Sequence, residues 1–283
     1  MQLNDTQLKE LCELAKKAAL SAGRIIRNCD RSSLNIDEKS GGENIASQVV
    51  TEIDHRAQAE ILNHLQPNLE AYELGLLAEE SNDDGSRFKR DYFWCIDPLD
   101  GTLCFSRNED GYSVAIALVA KDGTPIIGIV YDPRHDDLYS AIKDKGAYIG
   151  ESEFKLKENA NELTLLYDQS FLKIPNYLEE MEMLKEQAQK NGLKGVRKYH
   201  LGGAIMNGIS TIKFAPAIYY KHPKESLGGG SIWDFAASSV IQREAGGFNS
   251  NYYGQALDLN REDSSFMNHQ GVIFKSHQAL DIK

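Results

Sequence analysis

The sequence predicts an α+β protein, and three observations predict it. Residues from Thr6 to about Leu65 read as two amphipathic helices. Short β-rich runs follow one another between Tyr92 and Ile149. From Leu163 to Lys275, strand-like and helix-like stretches alternate. At 283 residues the chain can bury a large core, as one big domain or two intimate halves. The charged, poorly patterned stretch Lys155–Glu162 marks the expected boundary, giving an N-terminal α+β half (1–155) and a C-terminal α/β half (156–283).

The first helix covers Thr6 to about Asn28, with Leu8, Leu11, Leu14, Ala15, Ala18, Ala19, Ala22, Ile25 and Ile26 on one stripe. Leu34–Glu38 alternates weakly and reads as a strand. Lys39–Asn44 reads as a polar, glycine-bearing loop, with Lys39 solvated and an active-site reach as the alternative. A second helix opens near Val49 and runs to about Leu65, with Ile53, Ala57, Ile61, Leu62 and Leu65 as its apolar positions. Thr51 is its expected N-cap, with Asp54 three residues on as in a capping box. That cap alone accounts for Asp54. Leu74–Ala78 is a short apolar strand running into Glu79, Glu80 and Ser81. Ser113–Ala120 and Pro125–Tyr131 are strong strands joined by Lys121-Asp122-Gly123, a hairpin signal. Leu138–Ile142 and Ala147–Ile149 extend the meander. In the second half, Leu163–Tyr167, Ala217–Tyr220 and Val272–Lys275 read as strands, and Asn176–Asn191, Gly202–Ile212 and Ser231–Glu244 as helices.

Composition narrows the function. A formal charge of −11 argues against a nucleic-acid surface, which carries basic patches. No run of 18 apolar residues is present, so no membrane span is expected. The N-terminus is amphipathic and mixed in charge, without the pattern of a signal peptide. The four cysteines, Cys12, Cys29, Cys95 and Cys104, show neither CxxC nor zinc spacing and read as reduced thiols of a cytoplasmic protein.

The most informative stretch is WCIDPLDGT, Trp94 to Thr102. Its apolar lead-in, Tyr92–Ile96, is a short buried strand ending in carboxylates, which are costly there unless neutralised. Pro98 denies the ladder an N–H and Gly101 permits unusual backbone angles, so the strand is expected to stop and turn with Asp97 and Asp100 close together. Two such carboxylates can share hard cations, and amides near Gly101 and Thr102 can face an anion. An Asx-type turn capped by Thr102 explains the same residues. A second anchor is GGGSIWDFAA, residues 228–237, where a glycine run meets a helix start and puts Asp234 in the first turn. The helix dipole favours an acid there anyway. The apolar surroundings of Asp234 make a metal ligand the competing reading.

Together these residues resemble the inositol monophosphatase superfamily of metal-dependent, lithium-sensitive phosphatases. WCIDPLDGT is similar to the family's W-x-I-D-P-[IL]-D-G-T, Glu79-Glu80-Ser81 to its G-E-E-S with Ala78 in place of Gly, and IWDFAA followed by EAGG (244–247) to its W-D-x-A-A…E-A-G-G. VTEID (50–54) and GIVYDP (128–133) also fit. The resemblance spans roughly Leu8 to Lys275. It implies a layered α-β-α-β-α sandwich, commonly a homodimer. It implies Glu79, Asp97 and the Leu99 carbonyl as ligands of a first Mg²⁺, and Asp97, Asp100 and Asp234 as ligands of a second. Glu79 resembles the residue that also reaches a third metal through water. Thr102 resembles the threonine that orients the attacking water, and Asp54 the acid that polarises it. The family's reading therefore displaces the cap as the role of Asp54. Amides at Gly101 and Thr102 would hold the phosphate.

The sequence also departs from the family. Leu103-Cys104-Phe105 replaces a pair ending in Asn-Phe, and Gly202-Gly203-Ala204 lacks the serine of the family's G-S-A-A turn, leaving Gly203 and Ala204 as substrate contacts. Glu225 is the candidate for the acid that meets an inositol hydroxyl. Lys221, His222 and Lys224 are read as solvated, with contact to a second phosphate as the alternative. The expected function is Mg²⁺-dependent hydrolysis of a small phosphorylated substrate, first myo-inositol monophosphate. The alternatives are a 3′(2′),5′-bisphosphate nucleotidase and a non-catalytic binding member.

Overall fold

A computed structural model describes residues 2–30, 43–157 and 160–280. The expected strand Leu34–Glu38 and Lys39 lie outside them. Helix α1 (Asp5–Arg27) starts at Asn4, whose side chain accepts the Gln7 N–H while Gln7 returns a bond to the Asn4 N–H. Helix α2 (Glu43–Ala71) begins well before Thr51 and continues through Pro67. Thr51 is therefore inside the helix and caps nothing at its start, so the capping-box account of Asp54 falls.

A seven-stranded sheet follows, formed in chain order by β1 (Gly75–Ala78), β2 (Tyr92–Asp100), β3 (Ser113–Ala120), β4 (Pro125–Asp132), β5 (Asp137–Ile142), β6 (Ala147–Ile149) and β7 (Ser152–Glu153). β1 pairs parallel to β2 and every later pairing is antiparallel. β2 does not stop at Ile96. It keeps pairing with β3 through Asp100↔Ser113, and an irregularity between Asp97 and Asp100 absorbs Pro98. Helix α3 (Thr102–Ser106) comes directly after it.

The second sheet has five strands in the order β11-β12-β10-β8-β9. These are β8 (Leu163–Tyr167), β9 (Val196–His200), β10 (Ala217–Lys221), β11 (Phe248–Ser250) and β12 (Val272–Lys275). Helices α4 (Tyr177–Lys190), α5 (Ala204–Lys213) and α6 (Ile232–Glu244) complete the half.

Side-chain alternation stacks these elements into layers. Trp94 and Ile96 of β2 face α1 and α2 in a cluster with Leu11, Ala15, Ala57 and Ile61. Phe93 and Cys95 face the other way, toward Ile205 and Ile209 of α5, Phe235 and Val240 of α6, and Phe274 of the second sheet. The far face of that sheet, with Leu165, Ile218 and Ile273, packs on Leu184 and Ala188 of α4. The order is α-β-α-β-α, as the resemblance implied. α5 and α6 lie between the sheets, and their N-termini deliver the second half's contribution to the end of β2.

Candidate active site

The irregular end of β2 presents Asp97 and Asp100, and the first turn of α6 presents Asp234. One carboxylate oxygen of each lies within 4.8 Å of the others. Asp97 and Asp100 are buried and Asp234 is half-buried. Each is aimed by the backbone. Asp97 Oδ1 accepts the Leu99 N–H at 3.0 Å, Asp100 Oδ2 accepts the Ile205 N–H at 2.8 Å, and Asp234 Oδ2 accepts the Ser231 N–H. Each bond uses one oxygen and leaves the rest of the carboxylate for a cation. Leu99 lies within the irregular stretch, between the two aspartates.

Glu79 follows β1, its N–H held by the Ile96 carbonyl at 3.2 Å and its carboxyl hydrogen-bonded to Asp97. Gln58 on α2 pins this segment, accepting the Glu80 N–H at 2.9 Å and donating to Ser81 Oγ at 2.7 Å. Asp54, one turn earlier on α2, is buried, and its Oδ1 has no hydrogen-bond partner among the described residues.

Like charges collected out of water do not ionise freely. Burial, then the charge of Asp234, pushes Asp100 up to about 8. Burial, then Glu79, Asp100 and Asp234, pushes Asp97 well above the carboxylate range. Much of Glu79 is exposed, yet its carboxyl sits among protein atoms, and that desolvation with Asp234 raises it to about 7. Burial, then Glu80 and Glu79, takes Asp54 to about 8. An all-oxygen donor set, converging and short of positive charge, with an orphaned buried oxygen beside it, fits a hard divalent cation.

The turn that follows β2 is built from glycine. Gly101 has φ +76°, and any Cβ there would lie 2.5 Å from the Gly111 carbonyl oxygen. Thr102 is the first residue of α3. Gly203 stands at the N-cap of α5, and a Cβ would lie 2.3 Å from the Gly111 oxygen and 2.5 Å from Asp100 Oδ2. The missing serine of the G-S-A-A turn has a steric counterpart here, since position 203 lies too close to the Gly111 carbonyl and Asp100 for a Cβ.

A cleft of about 300 Å³ gathers Asp100, Gly101, Cys104, Ala204, Lys221 and Asp234. Glu225 is exposed on the following loop and does not line it. Lys221 is not the solvated lysine of the sequence reading. It is largely buried, and its Nζ lies 2.8 Å from Asp168 Oδ2. Burial alone would lower its pKa, but Asp168, Asp234 and Asp100 raise it and keep it charged. His222 faces Glu180 at 3.1 Å, and Lys224 is exposed.

Sequence reasoning missed Asp168, Gln58 and His200. Asp168 directly follows the apolar strand β8, the same acid-after-strand signal that exposed Asp97. It also accepts from the Tyr219 hydroxyl at 3.3 Å and the Ser170 N–H at 2.8 Å. His200 ends β9 and lines the cleft, its Nε2 buried and without a hydrogen-bond partner among the described residues. Nothing in the pattern VRKYH marks it.

The fold and this carboxylate cleft define a phosphoric monoester hydrolase of the layered sandwich class. The family description "Inositol monophosphatase family" matches residues 7–281, and the chain belongs to that family. It is 27% identical over 251 residues to an inositol-1-monophosphatase of Bacillus subtilis, covering 86% of this chain and 85% of the relative. It is 28% identical over 249 residues to a fructose-1,6-bisphosphatase/inositol-1-monophosphatase of Aquifex aeolicus, covering 85% of each. Among solved structures, inositol monophosphatase II of Staphylococcus aureus superposes with a TM-score of 0.70 at 23% identity, over 95% of this chain and 90% of that one. No helix among the described residues is long and apolar enough to cross a membrane.

Proposed function

We propose that the chain hydrolyses a small phosphate monoester, myo-inositol monophosphate first, with Mg²⁺ held by Glu79, Asp97, the Leu99 carbonyl, Asp100 and Asp234. The observation that carries this is the convergence of Asp97, Asp100 and Asp234 from two separate elements on one point. The bound cations supply charge neutralisation at the phosphoryl oxygens and a water of lowered pKa. The protein's own groups do the rest. Amides of Gly101 and Thr102 hold the phosphate, and the Thr102 hydroxyl aims a water in line with the ester oxygen. With bound cations offsetting the burial and the neighbouring carboxylates that hold a proton on Asp54, the ionised Asp54 would receive that water's proton through Thr102 as the new P–O bond forms and the ester P–O bond breaks, and solvent would protonate the departing alkoxide. The retention of every acid together with Thr102 speaks against a non-catalytic binding member. A homodimer is proposed from the family resemblance alone, which light scattering checks, and a cytoplasmic location from the cysteine pattern.

A second reading has its own support. Asp168, Ser170 and Lys221 are shared between the cleft and an adjoining cavity of about 630 Å³, also lined by Phe171, Tyr220 and Lys224. Room and positive charge there suit a substrate with a ring and a second phosphate, such as adenosine 3′,5′-bisphosphate. Phosphate release with Mg²⁺ from myo-inositol 1-phosphate and from that nucleotide, side by side, decides between them. Preference for the inositol ester supports the first reading and preference for the nucleotide the second. Inertness toward both, and toward a generic phosphomonoester, refutes the enzyme.

A further inference from the structure

Three backbone segments meet edge to edge beside the cleft: the turn at Gly101, the stretch at Gly111, and the loop 201–203 that leads into α5. The Gly203 N–H donates to the Gly111 carbonyl at 2.9 Å. At Gly202 the loop meets the side chain of Cys104, which is 4% exposed. Its sulfur occupies the place a side chain at Gly202 would take, because a Cβ built there falls 1.9 Å from Sγ and 3.4 Å from Cys104 Cβ. The Gly202 N–H donates to that sulfur. Three residues further on, the Ile205 N–H aims Asp100 at 2.8 Å. Asn207 holds the loop from behind, donating to the Leu201 and Gly203 carbonyls. The loop is therefore fixed on three sides, and the sulfur sets its height over the turn that follows β2.

We infer that Cys104 and Gly202 form a complementary pair that positions the start of α5, and through the Ile205 amide the Asp100 carboxylate, for the phosphatase reaction. Cys104 acts as a positioning residue, a wedge between the two halves of the site, and not as a nucleophile or redox group. A side chain at Gly202 must either lift the loop or turn Cys104 into the cleft, and each displaces groups that the reaction needs in register. Misplacement on the ångström scale costs turnover on the order of 100-fold. Neighbouring residues coupled in this way are not additive, so a double substitution separates the pair from a general loss of packing.

The inference rests on the phosphatase reading of the cleft, and the experiment keeps the two apart. Gly202→Ala, Cys104→Ala, Cys104→Ser and the double variant Cys104→Ala/Gly202→Ala are compared with the parent. The measurements are kcat and KM on a generic phosphomonoester, melting temperature, and direct Mn²⁺ binding by electron paramagnetic resonance. In Gly202→Ala, kcat is expected to fall about 100-fold, with weakened Mn²⁺ binding and little change in KM, and the double variant is expected to regain at least about tenfold. Cys104→Ser, which keeps an acceptor for the Gly202 amide, is expected to recover most of what Cys104→Ala loses. A folded Gly202→Ala protein with unchanged kcat and Mn²⁺ binding overturns the inference. So does a double variant no more active than Gly202→Ala alone. If Gly202→Ala does not fold, Cys104→Ala decides, because unchanged kcat and Mn²⁺ binding there overturn the pairing equally. Failure of the phosphatase reading shows itself separately, as a parent protein inert toward every ester.

Discussion

Replacing Lys221 by Met removes the positive half of a buried ion pair while keeping most of the stem's volume. The Nζ–Oδ2 separation of 2.8 Å gives a gross attraction of about 6 kcal/mol at an effective dielectric of about 20. Desolvating the lysine offsets part of this, and Asp168 retains donors from Ser170 and Tyr219. The net loss belongs at the lower end of the range for breaking a buried pair, about 3 kcal/mol. That corresponds to a melting shift of about 6 °C for a chain of this size. Its pH dependence has a definite sign. Burial would raise the Asp168 carboxyl, but Lys221 and Ser170 outweigh it and hold the folded-state pKa below the ordinary value. The stabilisation is therefore present above the unfolded carboxyl's pKa of about 3.9 and is lost as pH falls through the folded one. Lys221 is shifted up by its carboxylate neighbours. Its share persists up to the unfolded lysine's pKa of about 10.4 and fades above it. Urea unfolding of the parent and Lys221→Met proteins, both in EDTA, is the assay. The gap should be full at pH 7 and close toward pH 3. Lys221→Met/Asp168→Leu should recover much of the loss, because the carboxylate left without its 2.8 Å partner is then gone as well. A gap below about 1 kcal/mol at pH 7, or one that persists in acid, would refute the reasoning.

Other consequences are equally open to measurement. Asp97→Asn and Asp234→Asn should each lower turnover by more than about 100-fold, the upper figure for groups one step removed from a metal, while raising the melting temperature of the EDTA-treated protein by relieving like-charge repulsion. In EDTA the parent should lose stability as pH rises from near 4 toward 8, because Asp100 and Asp54, raised to about 8, keep their protons in the folded state after the unfolded chain has released them. At pH 8, Mg²⁺ should restore that stability with the logarithm of its concentration above the dissociation constant, since it binds the folded form alone; a melting temperature unmoved by Mg²⁺ would remove the cation assignment. Li⁺ in the millimolar range should inhibit by competing at the second Mg²⁺ position, and insensitivity there would count against family-like cation geometry.

Most elements were legible because burial on both faces gives β2, β3 and β4 unbroken apolar runs, because α1 and α4 follow a helical period, and because a glycine run marks the start of α6. The misreadings have local causes. β9 is an edge strand whose Arg197, Lys198 and Tyr199 are exposed, so VRKYH carries no alternation to find. β11 has three residues, fewer than a pattern needs. The Thr51–Asp54 spacing imitates a cap and points to a helix opening near Val49, yet α2 has already started at Glu43. In the site, Asp97, Asp100 and Asp234 could be found because carboxylates at buried element ends are costly enough to be noticed. Lys221 was read as solvated because a lysine in a polar loop usually is. Its partner Asp168 lies 53 positions away in the chain, and no local spacing links them.

The placement of Asp234 on α6 has a consequence for how the chain comes into being. Synthesis runs from the N-terminus, so Glu79, Asp97 and Asp100 leave the ribosome long before the helix that carries the last carboxylate. The same late segment supplies Phe235 and Val240, which cover the inner face of the first sheet. A nascent chain stopped short of residue 230 therefore lacks α6, which is part of the cover for that sheet and carries Asp234. If Asp234 closes the cation site as proposed, ester hydrolysis begins only once α6 has been made, which makes activity a report on synthesis of that helix and not on the folding of the first half.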